Sequence, residues 1–272
     1  MIYELNKKDF SKCQELANNQ RHIEVKAIIH GHNPGRVFVD DVDSPNTALV
    51  WLGDHDGFFF IGDERNPHFN EHINSFIDLV IAPAAKKEGL DCFEAIGSND
   101  QWGKVIPKLF PHRELGSWTS RVYSINSDQY RKAMEPTIAG NYEIHRISID
   151  LLNSASHHFM RDKVLESWST MEDFMERGMG YCVMKDQVVV AVCYSNYSSG
   201  REHTIAIETV KEHRGKKLAK KLAHYYLQAC FDEGVHPYWD CMVENRPSVA
   251  IAKGLGYVED FSYVGYDFGF SS

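Results

Sequence analysis

Ile205-Ala206-Ile207-Glu208-Thr209-Val210-Lys211-Glu212-His213-Arg214-Gly215-Lys216-Lys217-Leu218-Ala219 is the stretch on which the reading of this chain turns. An apolar run with strand composition enters a short basic turn, and the turn opens a long helix, predicted over Arg214 to Phe231. Leu218, Leu222 and Tyr226 recur every four residues there, with Ala219, Ala223, Leu227 and Cys230 beside them, which makes one apolar stripe. Gly234 supplies the stop. The first N–H groups of a helix have no intrahelical partner, and the helix dipole places positive charge at the same end. A strand, a turn and a helix start in this order therefore make a seat for a phosphate or pyrophosphate. Arg214, Lys216 and Lys217 add charge, and Gly215 lets the backbone approach a ligand closely. Taken alone, the segment reads equally well as a solvated basic first turn of an amphipathic helix.

Beyond this stretch the chain is acidic. Its 272 residues carry 29 Lys and Arg against 38 Asp and Glu, a formal charge of −9. That disfavours a nucleic-acid partner, which needs a net basic face, and suits a cationic small molecule better. With 43% hydrophobic and 25% charged residues the composition is that of a globular protein. Met1 to Asp9 has no apolar signal core and no run of ~18 apolar residues follows, so no membrane association is expected. The six cysteines lack CxxC spacing and the 14 histidines lack HExxH, so no metal site is expected. Free thiols packed as small apolar groups point to a reducing, cytoplasmic setting.

The length allows one large domain or two modest ones at ~150 residues each. Pro136, Gly140 and Asn141 cluster in the stretch Met134 to Asn141, which predicts a division into 1–135 and 136–272. In the first part Asp9 to Ala17 reads as helical and the segment from Ile23 as strand-like. Strands are predicted at Arg36–Asp40, Thr47–Leu52 and Gly57–Gly62, forming an antiparallel meander. Asn70–Leu79 and Asn99–Phe110 read as helices, and Asp91–Ile96 and Trp118–Ile125 as strands. The second part opens with the alternating strand Tyr142–Ile147. A helix follows with a capping box at Ser169 and Glu172. Then come three strands (Tyr181–Lys185, Gln187–Tyr194, Glu202–Val210), the long helix, a strand at Tyr238–Val243, a short helix at Pro247–Lys253 and a strand region at Tyr257–Phe268. That last strand is either core or the edge of a homodimer.

Arg214-Gly215-Lys216-Lys217-Leu218-Ala219 resembles the acyl-CoA pyrophosphate loop of the GNAT N-acetyltransferase superfamily, Gln/Arg-x-x-Gly-x-Gly/Ala. Arg214 and Ala219 match, and Lys217 stands where the middle glycine is usual. Asn245-Arg246-Pro247-Ser248 followed by Leu255-Gly256-Tyr257 resembles the superfamily's later motif. The resemblance covers Tyr142 to Phe268. Ile207-Glu208-Thr209, Pro237-Tyr238-Trp239-Asp240-Cys241, and Asn245 with Ser248 are similar to the zwittermicin A resistance type of acetyltransferase. Gly35 to Asp41 and Thr47 to Trp51 support that likeness, although similar phrases occur in glycine N-acyltransferase relatives. The resemblance implies a GNAT-like α/β (α+β) fold: a mixed, largely antiparallel sheet with flanking helices. A smaller mixed α/β N-terminal lobe would precede it, read as a degenerate GNAT-like half that shapes the acceptor cleft.

The same resemblance implies acetyl transfer from acetyl-CoA to a primary amine of a small molecule, with no metal. Thr209, Val210 and Lys211 would pair with the pantetheine arm, and a backbone N–H near Val210 would stabilise the oxyanion. The pyrophosphate would sit on Arg214, Gly215, Lys216, Lys217, Leu218 and Ala219, with Asn245 and Ser248 also at the cofactor. Glu208, a carboxylate interrupting an apolar strand, is the candidate general base. The superfamily's acid tyrosine falls at Ala252, so Tyr257 is the candidate acid, with Tyr263 and Tyr266 as substitutes; an acyl-Cys241 route is the alternative. Two other readings stand beside this one: an acyltransferase for a small amino acid, and a non-catalytic acyl-CoA-binding module.

Overall fold

The structure is a computed structural model that describes residues 1–53, 57–130 and 135–270. Its contacts divide the chain into two units, Met1–Ser120 with Ser262–Ser272, and Arg121–Phe261.

In the first unit β1 (Tyr3–Glu4), β2 (Arg36–Val39), β3 (Thr47–Trp51) and β4 (Gly57–Gly62) pair antiparallel in that order, as the meander reading required. β5 (Cys92–Gly97) then lies parallel to β4. Helices α1 (Gln14–Asn18), α2 (Ile23–Ile29), α3 (Pro67–Phe76), α4 (Ala82–Lys87) and α5 (Asp100–Leu109) accompany the sheet. A stack of Phe58, Phe93 and Phe268, with centroids 4.2 and 5.2 Å apart, anchors the core. The segment from Ile23 is a helix, not the strand that its polar–apolar alternation suggested. Ile23, Val25, Ala27, Ile28 and Ile29 are all buried, and a segment enclosed on most sides loses the periodicity that separates helix from strand.

The second unit repeats the plan. β7 (Glu143–Arg146), β8 (Gly180–Lys185), β9 (Val188–Ser199) and β10 (Glu202–Thr209) form another antiparallel series, and β11 (His236–Met242) lies parallel to β10. Helices α6 (Ile149–Asn153), α7 (His158–Leu165) and α8 (Met171–Arg177) cover one sheet face, together with Ala206 of β10. Helices α9 (Leu218–Glu233) and α10 (Arg246–Leu255) pack with Ile205 and Ile207. The cap of α8 is Thr170, whose side chain accepts the Asp173 N–H at 3.0 Å, rather than Ser169.

The division does not fall at 135/136. The boundaries lie inside β6 (Gly116–Ser124) and β12 (Val258–Gly269). Tyr123 and Ile125 are buried with Trp239, Ala223 and Leu255, which binds that stretch to the second unit. Gly265–Gly269 pair with β5, and Phe268 is core there, so the end of the C-terminal strand belongs to the first. The Pro136–Asn141 cluster is a loop within the second unit; Met134 lies outside the described residues.

Under α9, Ser195 Oγ accepts the Met179 N–H at 3.0 Å and lies 2.9 Å from both His203 Nδ1 and Tyr226 Oη. Burial pulls the His203 imidazole from about 6.5 down to about 4. Burial holds His22 at about 3 in the first unit, between Phe59 and Tyr263. A histidine whose folded-state pKa is depressed binds fewer protons folded than unfolded, so its stabilisation is complete above pH 6.5 and is lost as pH falls toward 4. For His203 the full loss is about 3 kcal/mol. Thermal unfolding followed from pH 8 to pH 4 should show a level Tm above pH 7 and a fall below 6.5, and His203→Asn should make that fall shallower.

Candidate active site

β10 and β11 are paired only at Glu202–His236, His203–Pro237 and Thr204–Tyr238. β10 continues to Thr209 and, past a register shift at Thr204, stays paired with β9 from Ile205 to Thr209, so the two parallel strands part after Thr204 and Tyr238. The ladder fixes which backbone groups face the gap. Val210 N–H donates to Val190 O at 3.0 Å, so Val210, Glu208 and Ala206 turn their peptide groups to β9. By the alternation of an antiparallel ladder, Ile205, Ile207 and Thr209 turn theirs to the gap.

Where the strands part lies a cavity of about 860 Å³, the size of a cofactor or substrate pocket. β10 contributes Ile207, Glu208 and Thr209 to it. The turn and α9 contribute His213, Arg214, Gly215 and Lys217 to Lys220. Trp239 of β11 and Asn245, Ser248 and Ile251 line the far side.

The turn departs from a helix for a stated reason. Gly215 has φ +78° and Lys217 φ +64°, so α9 starts at Leu218, four residues after the expected Arg214. Glycine adopts this left-handed region freely, whereas a lysine there costs about 1 kcal/mol. No side chain caps α9, so its first amides stay available at the cavity. The other comparable helix starts differ. Asn245 caps α10 by accepting the Ser248 N–H at 3.2 Å, and Asn66 caps α3 after the acidic turn Asp63-Glu64. The first unit thus keeps the strand–helix order without an uncapped basic start to its helix.

Glu208 and Arg214 meet across the turn. The Arg214 Nη2 donates to Glu208 Oε1 at 2.9 Å, and its Nε donates to Thr209 O at 2.9 Å. Thr209 N–H donates to Glu208 Oε1 at 3.2 Å. Thr209 is 9% exposed and its buried Oγ1 has no partner. An unpartnered buried hydroxyl costs about 1–3 kcal/mol. Tyr142 Oη lies 2.9 Å from His213 Nδ1, and partial burial with Lys216 and Lys185 holds that imidazole below its ordinary range. Trp239 Nε1 donates to Ser248 Oγ at 2.8 Å, tying β11 to α10.

The cavity gathers Glu208, Thr209, Arg214, Gly215, Lys217, Leu218, Ala219, Asn245 and Ser248 from the sequence reading. Four expected residues stand elsewhere. The Val210 amide is spent on β9 and cannot serve an oxyanion; the Thr209 amide is the one that faces the gap. Lys211 opens a short 3-10 turn outside the lining, and the Lys216 ammonium donates to Glu212 O at 3.0 Å. Tyr257 is buried against Trp239, with centroids 5.6 Å apart, and its hydroxyl has no partner; burial raises its pKa well above 10. A proton donor must reach its acceptor, and Tyr257 does not line the cavity. Tyr263 packs edge-on against His22 and the Tyr266 hydroxyl donates to Gly103 O, both in the first unit. Burial raises the Cys241 thiol, opposite to what a nucleophile needs. Sequence reading missed Trp239 and Lys220 as lining residues. Trp239 alternates with Tyr238 and Asp240 along β11, which gave a signal for its facing, but the parting of the strands that exposes it did not.

Residues 14–266 match the family described as GNAT acetyltransferase. The chain belongs to that family. It is 26% identical over 268 residues, 98% of each chain, to the uncharacterized N-acetyltransferase YdfB of Bacillus subtilis (strain 168). Among solved structures it resembles a GCN5-related N-acetyltransferase-like protein from Streptococcus suis 89/1591, at 20% identity and TM-score 0.68 over 96% of this chain and 98% of that one. It also resembles a tandem GNAT protein from the clavulanic acid biosynthesis pathway, at 12% identity and TM-score 0.62 over 100% and 99%. The fold is therefore the mixed, largely antiparallel GNAT fold, and the tandem relative fits the two-unit plan. GNAT proteins use acetyl-CoA, and this cavity suits it. It offers an uncapped helix start, Arg214, Lys217 and Lys220 for phosphates, an unpartnered hydroxyl, and backbone groups turned to a gap. Among the described residues no group of three or more His, Cys, Asp or Glu is placed to hold a metal, and no helix is long and apolar enough to cross a membrane.

Two substitutions should separate stability from binding. Lys217→Gly relieves the left-handed backbone and removes a cation from a helix N-terminus, so it should stabilise the fold by about 1 kcal/mol. Thr209→Val removes the unpartnered hydroxyl and should be neutral or stabilising by up to about 1 kcal/mol. Both should weaken coenzyme A binding, read by thermal unfolding beside calorimetric titration.

Proposed function

We propose that this protein transfers the acetyl group of acetyl-CoA to a primary amine of a small molecule by direct attack, with Glu208 as general base. The observation that carries this reading is the placement of Glu208 where β10 and β11 part, beside an uncapped helix start. The amides of Leu218 and Ala219, with Arg214 and Lys217, hold the pyrophosphate. The gap-facing peptide groups of Ile207 and the Thr209 carbonyl hold the pantetheine arm, and the Thr209 N–H serves the oxyanion. Glu208 takes the proton of the attacking amine, the N–C bond forms and the C–S bond breaks. Ala252 is buried apolar core and Tyr257 does not line the cavity, so the thiol leaves as thiolate, tolerable at a pKa near ~8.5.

The acceptor is a cationic amine of the aminopolyol kind acted on by the zwittermicin A resistance type, in an antibiotic-resistance role. The carboxylate at the cavity and the net charge of −9 support a cationic acceptor. The cytoplasm is the setting that six free cysteines favour. Ala252, where the superfamily's acid tyrosine would stand, favours one other reading, a non-catalytic acyl-CoA-binding module.

Thiol release from acetyl-CoA, followed across a panel of amines, distinguishes the two. Glu208→Gln should cut turnover by about 10²–10⁴ without loss of coenzyme A affinity. A module would give no turnover with any amine, in either form of the protein. The wild type should unfold several degrees higher with acetyl-CoA at ~100 times its Kd, a stabilisation of ~2.7 kcal/mol.

A further inference from the structure

We propose that Arg214 is a latch which holds Glu208 and the last peptide group of the gap until the phosphates of the cofactor draw it away. The inference rests on the acyl-CoA reading of the cavity and concerns a coupling inside it.

Three hydrogen bonds close a ring. Thr209 N–H donates to Glu208 Oε1, Arg214 Nη2 donates to the same Oε1, and Arg214 Nε donates to Thr209 O. Both groups that Thr209 turns to the gap are thereby occupied by the protein itself. An extended ligand entering the gap needs that rung, and an attacking amine needs the Glu208 carboxylate. While the ring is closed the rung is occupied and the Glu208 carboxylate is held, through Oε1, by a cation and an amide. Arg214 is also the cation that opens the basic turn, within the same cavity as Lys217 and the first amides of α9. A guanidinium prefers a bidentate phosphate to a single carboxylate oxygen. Its arrival at the phosphates opens the ring, frees the Thr209 rung and leaves Glu208 without its cation. Cofactor binding thus exposes the base.

The latch is weak enough to open. The Arg214 and Glu208 side chains are 63% and 38% exposed, and ion pairs so exposed contribute little. Breaking the ring should therefore cost no more than about fivefold in cofactor affinity.

Coenzyme A titrated by calorimetry into the wild type, Glu208→Gln, Arg214→Gln and the double variant tests this. With Arg214 present, Glu208→Gln should bind coenzyme A about three- to fivefold tighter, because the competing anion is gone. In the Arg214→Gln background the same change should have no effect. Glu208→Ala repeats the comparison with a side chain that cannot accept from Arg214. A gain of equal size in both backgrounds would mean simple repulsion between a carboxylate and the phosphates, and would overturn the latch. So would an unchanged or weaker affinity in Glu208→Gln and Glu208→Ala. Failure of coenzyme A to bind any of the four folded proteins would instead remove the acyl-CoA reading on which the latch rests.

Discussion

β10 and β11 stop pairing after three residue pairs while β10 stays paired with β9 from Ile205 to Thr209. Every feature of the site depends on that parting. It leaves the peptide groups of Ile207 and Thr209 without a strand partner on one side, in a setting where unmet backbone groups are costly. The cost is offset nearby. Ile205 and Ile207 pack with Trp239, Ala223 and Leu227, so apolar burial replaces the missing rungs. The indole of Trp239, bonded to Ser248, holds the far wall in place. The result is an open gap beside β10, edged by Glu208 and Thr209.

Three local departures from good folding practice meet at this cavity. Lys217 sits in a left-handed conformation, α9 has no side-chain cap, and the Thr209 hydroxyl is buried without a partner. Each lowers stability, and the first two are what a phosphate-bearing thioester would need: a turn that exposes amides, and donors left uncapped. Strain and unmet polar groups concentrate at functional sites. The first unit supplies the contrast. Its matching turn is acidic, and Asn66 satisfies the start of α3, so the same strand–helix order carries no anion seat.

The second unit was legible because its signals are local. The stripe Leu218, Leu222, Tyr226 marks α9, and the basic turn before it lies at the cavity. Nine of the thirteen candidate residues line one cavity, since a loop motif encodes its own geometry. The remaining four were lost to effects that no short window holds. Whether Val210 or Thr209 faces the gap depends on its register against Val190, twenty residues away. Lys216 turned to a carbonyl of its own loop, and Tyr257 was taken by the core around Trp239. The unit boundary failed for a similar reason: β6 and β12 each start in one unit and end in the other, which composition does not signal. The Ile23 helix was misread because burial on most sides erased its period.

Amide hydrogen exchange with and without acetyl-CoA tests the account most directly. If the gap between β10 and β11 seats the cofactor, the Ile207 amide should exchange readily in the free protein and the Thr209 amide, held by Glu208 Oε1, less so; both should slow markedly when acetyl-CoA is added, with the first amides of α9. The Val210 amide, already bonded to Val190, should not change. Saturable binding of acetyl-CoA that leaves Ile207, Thr209 and the start of α9 unprotected would place the cofactor elsewhere and contradict the account.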